Sequence, residues 1–339
     1  MITTSSVDPA QVAVAGTHVH PGAATQVRLP VPGLDEAHHP YVTLVGAVAP
    51  GPVVSVVSGV HGAEISSIEA ARRLALSLPG RLRRGAVLVS APVNLASFFA
   101  RSLYVNPLDG KNLNRVFPGA PDGTASERLA HALVEALVRP ADVVFDLHGG
   151  DIVEALDPFM LAEQLPGRGI DPRALELADL FALDQVIAGH VDGSLVAVAT
   201  AMGKASLLAE CGQQGILSDL AATRLAAGVE NVLAALGMLE APAPEEAPVA
   251  HPVFRPSWTW MSSGHEGFWL VDPAVSVGRE LAAGARIGRV QPLAAGTPAI
   301  DVLSPHAGRL IFLVSALSTA PGTPLCAVAR PAAEWPAPT

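Results

Sequence analysis

The chain has 339 residues, half of them hydrophobic, and carries 21 Lys plus Arg against 31 Asp plus Glu, a formal charge of −10 at pH 7. Such a length suggests about two domains with a sizeable core, and an acidic balance unbroken by any basic run excludes nucleic acid and anionic membrane from the expected partners. No apolar stretch approaches the roughly 18 residues that span a bilayer; residues 1–6 hold no charged segment followed by an apolar one, hence no secretory signal; and two cysteines, Cys211 and Cys326, make no disulfide framework and fit a reducing cytoplasm.

In chain order, residues 53–58 form an apolar run that predicts a buried strand, and Ser58-Gly59-Val60-His61-Gly62-Ala63-Glu64 follows its end. The spacing H-x-x-E sets an imidazole and a carboxylate about one helical turn apart, so both can face one point. Residues 66–78 predict a helix with apolar positions at Ile68, Ala71, Leu74 and Leu78, and residues 86–91 a second buried strand. Residues 92–124 read as a long loop rich in Asn, Pro, Gly and Arg, which inside a compact domain is more often functional than idle. An amphipathic helix is expected over 126–138, capped by Thr124 or Ser126 and closed by Pro140. A buried strand over 142–148 then ends at His148 before Gly149-Gly150.

Further on, residues 195–199 and 207–210 read as short apolar strands, and 217–239 as a long helix ending at the Pro/Ala/Glu linker 241–250. The alternation of strands and helices predicts an α/β layer with a mostly parallel or mixed sheet over residues 1–240. After the linker, residues 251–339 carry frequent Gly and Pro between short apolar runs, the texture of a small all-β domain.

The chemistry starts from His61 and Glu64. Two such ligands plus a distant His make a zinc site with one position open for water, and His148 at the end of its strand is the candidate third ligand. Alone, H-x-x-E fits equally a loop His and a helix-start carboxylate; its place after a buried strand, with Gly59 and Gly62 allowing close backbone approach, favours the metal. Ligands in α/β sheets collect at the strand ends where His148 lies. Asp146, on the same strand face, either orients a ligand imidazole or is a turn carboxylate. Glu210, between a buried run and a glycine turn, suits a general base near the metal, against the alternative of a strand-end surface charge. In the loop, Arg115 offers a planar fork for a carboxylate with Asn114 beside it, and Arg101 is a second guanidinium suited to an oxyanion. Simpler roles account for His18 and His20 (a surface strand), His38 and His39 (a loop), His265 and Glu266 (a turn) and Cys211 (a small buried hydrophobe).

Taken together, Gly59-x-His61-Gly62-x-Glu64, Asp109-Gly110-Lys111-Asn112-Leu113-Asn114-Arg115-x-Phe117-Pro118-Gly119, Asp146-Leu147-His148 and Glu210-x-Gly212 resemble, in that order, the motifs of succinylglutamate desuccinylase/aspartoacylase-type deacylases. That family is similar in fold to the zinc carboxypeptidases, and the resemblance covers roughly residues 45–335. It implies one Zn2+ per chain held by His61, Glu64 and His148, with Glu210 as the base, Asn114 and Arg115 as the carboxylate-binding pair and Arg101 as the oxyanion stabiliser. It implies a zinc carboxypeptidase-like mixed-sheet domain followed by a biotinyl/lipoyl-like barrel, in which no lipoyl or biotin can be attached because no Lys lies beyond Lys204. The reaction implied is hydrolysis of the amide of a small N-acylated amino acid or related amine, by a chain that forms a homo-oligomer. The alternatives are a metallocarboxypeptidase acting on peptides and a non-catalytic zinc-containing binding protein.

Overall fold

A computed structural model describes residues 2–165, 167–240 and 252–330. The expected linker 241–250 and the last residues of the expected C-terminal domain lie outside them. A short hairpin, β1 (Ala13–Val14) and β2 (Thr17–His18), precedes the main sheet. The sheet takes up β3 (Ala24–Arg28), β4 (Tyr41–Gly46), β5 (Ala49–Ser58) and β6 (Arg84–Ser90), with helix α1 (Ile65–Ser77) connecting β5 to β6. After α2 (Leu95–Ala100) and α3 (Ala125–Leu133), the latter continued by a π-helical stretch Val134–Val138, the chain enters β7 (Val143–His148). Then follow β8 (Glu154–Leu156), β9 (Phe159–Leu165), β10 (Gly169–Ile170), α4 (Pro172–Phe181), β11 (Gln185–Gly189), α5 (Leu195–Ala201), β12 (Ala205–Glu210) and α6 (Asp219–Ala235).

The main sheet has ten strands in the order β13-β11-β9-β12-β7-β5-β6-β4-β3, with β10 paired to β9 and β13 being Val253–Arg255. Its centre is parallel, β6-β5-β7-β12, and it turns antiparallel at β12-β9 and β6-β4. The sheet is therefore mixed, as its sequence pattern predicts. Strands buried on both faces read as continuous apolar runs, and β7 is buried at every residue. One core packs α1, α4 and α6 against one face; a second packs α3, its π-helical extension and α5 against the other.

Two expectations are corrected. Residues 195–199 form helix α5, not a strand: the Ser194 hydroxyl accepts the Ala197 N–H at 3.2 Å and caps it. A short run buried all round cannot be told from a strand by periodicity. The segment 92–124 is likewise not all loop. It contains α2, started by the Asn94 side chain accepting the Ser97 N–H, and a 3-10 turn, Leu113–Arg115.

The remaining strands are β14 (Trp258–Ser262), β15 (Gly267–Val271), β16 (Glu280–Leu281), β17 (Arg286–Gln291), β18 (Ile300–Leu303), β19 (Gly308–Val314), β20 (Ser318–Thr319) and β21 (Pro324–Ala329). They form two sheets, β14-β21-β19-β16 and β18-β17-β15-β20, that share one apolar core. The two parts of the molecule exchange strands. β8, from the N-terminal part, pairs antiparallel with β19, while β13, from beyond residue 250, pairs parallel with β11. Asp157 fastens the junction, accepting hydrogen bonds from Arg309 (2.7 and 3.1 Å) and from Gln185, which in turn accepts Arg255 Nε at 2.7 Å.

Candidate metal centre and active site

β5, β7 and β12 are adjacent and parallel, so their C-terminal ends lie side by side, the place where α/β sheets gather ligands. β7 delivers His148 and β12 delivers Glu210, and the two are register partners. β5 delivers the H-x-x-E turn. Gly59 there has a positive φ of 75°, and a Cβ on Gly62 would lie 2.1 Å from the Phe98 backbone nitrogen, so this turn presses directly on α2. Asn94 ties the same turn from the other side, donating to the Val60 carbonyl at 3.1 Å.

Glu64 is the N-cap residue of α1 but makes no side-chain capping bond. Its carboxylate turns to the imidazoles instead: Oε1 lies 2.7 Å from His61 Nδ1 and Oε2 lies 2.9 Å from His148 Nδ1. The Gly149 N–H also donates to Oε2 at 3.2 Å. All three side chains are nearly inaccessible to solvent, and their donor atoms fall within 4.8 Å of one another. Burial alone would raise the Glu64 pKa, but the two imidazoles outweigh it and bring it down to about 2. Reciprocally, burial lowers both His pKa values and the facing carboxylates more than reverse this.

Each imidazole presents Nδ1 to Glu64 and has a polar side chain behind it at Nε2. His61 Nε2 is 3.0 Å from Asn112 Oδ1, and since that oxygen also accepts the Asn114 N–H at 2.8 Å, it is His61 that donates. His148 Nε2 lies 3.0 Å from Asp146 Oδ1, although without hydrogen-bond alignment. Metal-binding histidines are oriented by such partners on the far ring nitrogen. Asp146 lies beside the far ring nitrogen of His148, where such a partner would sit, and Asn112 occupies the same place behind His61. The donor set, two imidazole nitrogens and a carboxylate, can hold a metal ion, and it is the one such group among the described residues.

A cavity of about 350 Å³ borders the cluster, lined in part by His61, Glu64, His148, Glu210, Asn114 and Arg115. Six of the seven expected site residues therefore come together. Glu210 Oε2 is buried without a hydrogen-bond partner, and desolvation, with Glu64 and other carboxylates adding against the pull of His148, pushes its pKa well above the usual range. The Asn114 side-chain oxygen Oδ1 accepts the Leu195 N–H at 3.0 Å, fixing this loop to the start of α5. Arg115 donates Nη1 to the Asn114 main-chain carbonyl at 2.7 Å, and burial lowers its pKa.

Arg101 is the exception. It caps α2 in the left-handed conformation, φ 54°, is exposed, and does not line the cavity. His18 bonds the Ala10 carbonyl and His39 the Val31 carbonyl, both away from the cluster; His265 and Glu266 are exposed. Cys211 and Cys326 are free and buried, and burial raises their thiol pKa values to about 11 and 12.

The structure adds wall residues that carried no sequence signal. Tyr104 and Glu154 line the cavity and are hydrogen-bonded to each other, and burial raises the Glu154 pKa to about 7. Trp258, Trp260 and Phe312, from the C-terminal sheets, close the side of the cavity that also contains Phe159.

Among the described residues, no helix is long and apolar enough to cross a membrane. Residues 50–236 match the family profile described as the succinylglutamate desuccinylase/aspartoacylase catalytic domain. The chain is 30% identical over 245 residues to N-alpha-acetyl-L-2,4-diaminobutyric acid deacetylase from Halomonas elongata, covering 71% of this chain and 70% of that one. Among solved structures it resembles an aspartoacylase family protein from Mesorhizobium loti (TM-score 0.76, 26% identity, 93% of this chain and 96% of that chain). It also shares the fold of the product-bound ectoine utilization protein EutE (DoeB) from Ruegeria pomeroyi (TM-score 0.79, 22% identity, 95% and 99%). The match over more than half the chain, with the His61, Glu64 and His148 cluster inside it, establishes that this protein belongs to the succinylglutamate desuccinylase/aspartoacylase family.

Proposed function

We propose that the protein is a zinc-dependent deacylase that hydrolyses the amide bond of a small N-acylated amino acid, with His61, Glu64 and His148 holding one Zn2+ and Glu210 acting as general base. The observation that carries this reading is the buried, partner-free carboxyl oxygen of Glu210 in the cavity beside the three-donor cluster. A buried carboxyl oxygen without a partner is costly to keep, and a base needs an acceptor free for a proton. The donor chemistry suits zinc, since two neutral imidazoles and one carboxylate leave a position open. When bound there, zinc acidifies water and polarises a carbonyl oxygen.

The chain's own groups supply the rest. Glu210 takes the proton from the attacking water and passes it to the leaving amine nitrogen, so the C–N bond breaks to a neutral amine. The Arg115 fork pairs with the substrate carboxylate, and the Asn114 amide nitrogen, its oxygen already engaged by Leu195, is the donor left for the same group. Asn112 keeps the His61 proton on Nε2. Arg101 has no part in this scheme.

The small cavity, closed on one side by β14 and β19, favours a small acyl-amino acid over a peptide. The test is hydrolysis of N-acetyl- and N-succinyl-amino acids, N-alpha-acetyl-L-2,4-diaminobutyrate included, by protein of measured zinc content with and without chelator, alongside release of C-terminal residues from peptides. Zinc near one per chain with chelator-sensitive deacylation is expected. Peptide release without deacylation, or no hydrolysis by zinc-loaded protein, would overturn the reading.

A further inference from the structure

We infer that the substrate carries a single carboxylate and a bulky hydrocarbon or aromatic group, which packs on the wall formed by Phe159, Trp258, Trp260 and Phe312. The inference rests on the reading of the site as an N-acyl-amino acid deacylase and says which such compounds fit.

The first observation is charge. Among the described residues lining the cavity, Arg115 is the only Lys or Arg, while Glu64, Glu154 and Glu210 line it too. Once Arg115 holds the α-carboxylate, this lining has no other Lys or Arg to pair with a second one. A succinyl, aspartyl or glutamyl carboxylate would be desolvated against other carboxylates, which is strongly unfavourable. A cationic side chain fares little better. Glu154, the one carboxylate outside the metal cluster and the base, already accepts the Asp151 N–H at 2.8 Å and is hydrogen-bonded to Tyr104.

The second observation is the wall. Its rings pack in a row: Phe159 and Trp258 centroids are 6.0 Å apart and Trp258 and Trp260 5.1 Å, both pairs tilted, and Trp260 meets Phe312 edge to face at 4.7 Å. Leu161 and Leu208 continue the same lining. Trp260 is 45% exposed despite its size, so an apolar face is on offer that the described residues do not cover. A packed aromatic surface beside an orienting polar pair is the arrangement that holds an apolar ligand by one end.

The hydrocarbon could belong to the amino acid or to the acyl group, and the experiment separates the two. Zinc-loaded protein is assayed for kcat/KM on N-acetyl-L-phenylalanine, N-hexanoylglycine, N-acetyl-L-aspartate, N-succinylglycine and Nα-acetyl-L-lysine. At least one of the first two should exceed all of the last three by about 100-fold, on the scale of a matched against an unpaired group in a pocket. The better of the two identifies which end meets the wall. Trp260→Ala should shrink that preference through KM rather than kcat. Equal or better use of the aspartate, succinyl or lysine compound overturns the inference while leaving the deacylase reading intact. Independently of turnover, quenching of tryptophan fluorescence is titrated with N-acetyl-L-phenylalanine, N-hexanoylglycine and N-acetyl-L-aspartate in the Glu210→Gln protein. One of the two apolar ligands should bind about 10-fold tighter than the aspartate, on the scale of one well-buried apolar contact. Affinities that are equal or reversed overturn the inference even if nothing is hydrolysed, an outcome that would separately defeat the deacylase reading.

Discussion

At the residue scale, the site is organised by what stands behind each metal-facing atom. Glu64 forgoes its capping bond and aims one oxygen at each imidazole, while Asn112 and Asp146 sit behind the two rings. Asp146→Asn should weaken zinc binding by about 10- to 100-fold, read by competition with a chromophoric chelator. Unchanged affinity would reduce Asp146 to a structural residue. Glu210→Gln should keep its zinc and lose about 100- to 10,000-fold in kcat, read on metal-quantified protein; near-normal turnover would remove Glu210 from the mechanism. The grouping of His61, Glu64 and His148 could be read from local spacing because strand ends and glycine turns mark where such residues emerge. Asn112 could not be singled out, because its part depends on a contact 51 positions away in sequence.

At the element scale, the H-x-x-E turn, α1 and α2 are held as one block. Gly62→Ala would force a Cβ against the backbone of Ser97 and Phe98, where no side chain can swing aside. The expected outcome is a loss of about 1–3 kcal/mol together with weaker zinc binding, measured by denaturation and metal titration; a variant that matches the parent in both would contradict the packing argument. On the outer side, Glu69 accepts from Arg72 (2.6 and 2.9 Å) and Arg73 (2.8 Å), and Arg73 reaches Asp219 on α6 at 2.6 Å. The hydrogen bond from Arg72 is the main reason the Glu69 pKa falls from 4.5 to about 2. A depressed carboxylate pKa contributes stability above its unfolded value and loses it as pH falls through the folded one. Glu69→Gln should therefore be less stable than the parent by about 0.5–1 kcal/mol at pH 7, and the gap should close between pH 4.5 and 2. An equal gap at pH 7 and pH 3 would refute the linkage. Helix α5 shows where element reading stops: its apolar run gave no period, and only Ser194 marks its start.

At the scale of the whole molecule, the exchange of β8 and β13 makes the C-terminal sheets part of the active-site wall. Asp157, nearly buried, holds Arg309 on one side and Gln185 on the other. Asp157→Ala should cost about 1–3 kcal/mol by leaving these donors unpaired, a fall in Tm of about 2–6 °C, and should raise KM as the aromatic wall loosens. An unchanged Tm would show that the junction does not depend on this carboxylate. The sequence by itself determined the mixed α/β layer, the all-β texture that follows it and the positions His61, Glu64, His148 and Glu210 that gather at the strand ends, because apolar period, strand-end glycines and short-range spacing are local properties of a chain. Only the tertiary structure decided that Arg101 stays outside the cavity, that β8 and β13 change places between the two parts, and that Trp258, Trp260 and Phe312 line the cavity that borders His61, Glu64 and His148. Those outcomes depend on which distant surfaces bury one another, and burial between segments far apart in the chain leaves no spacing in the sequence to read.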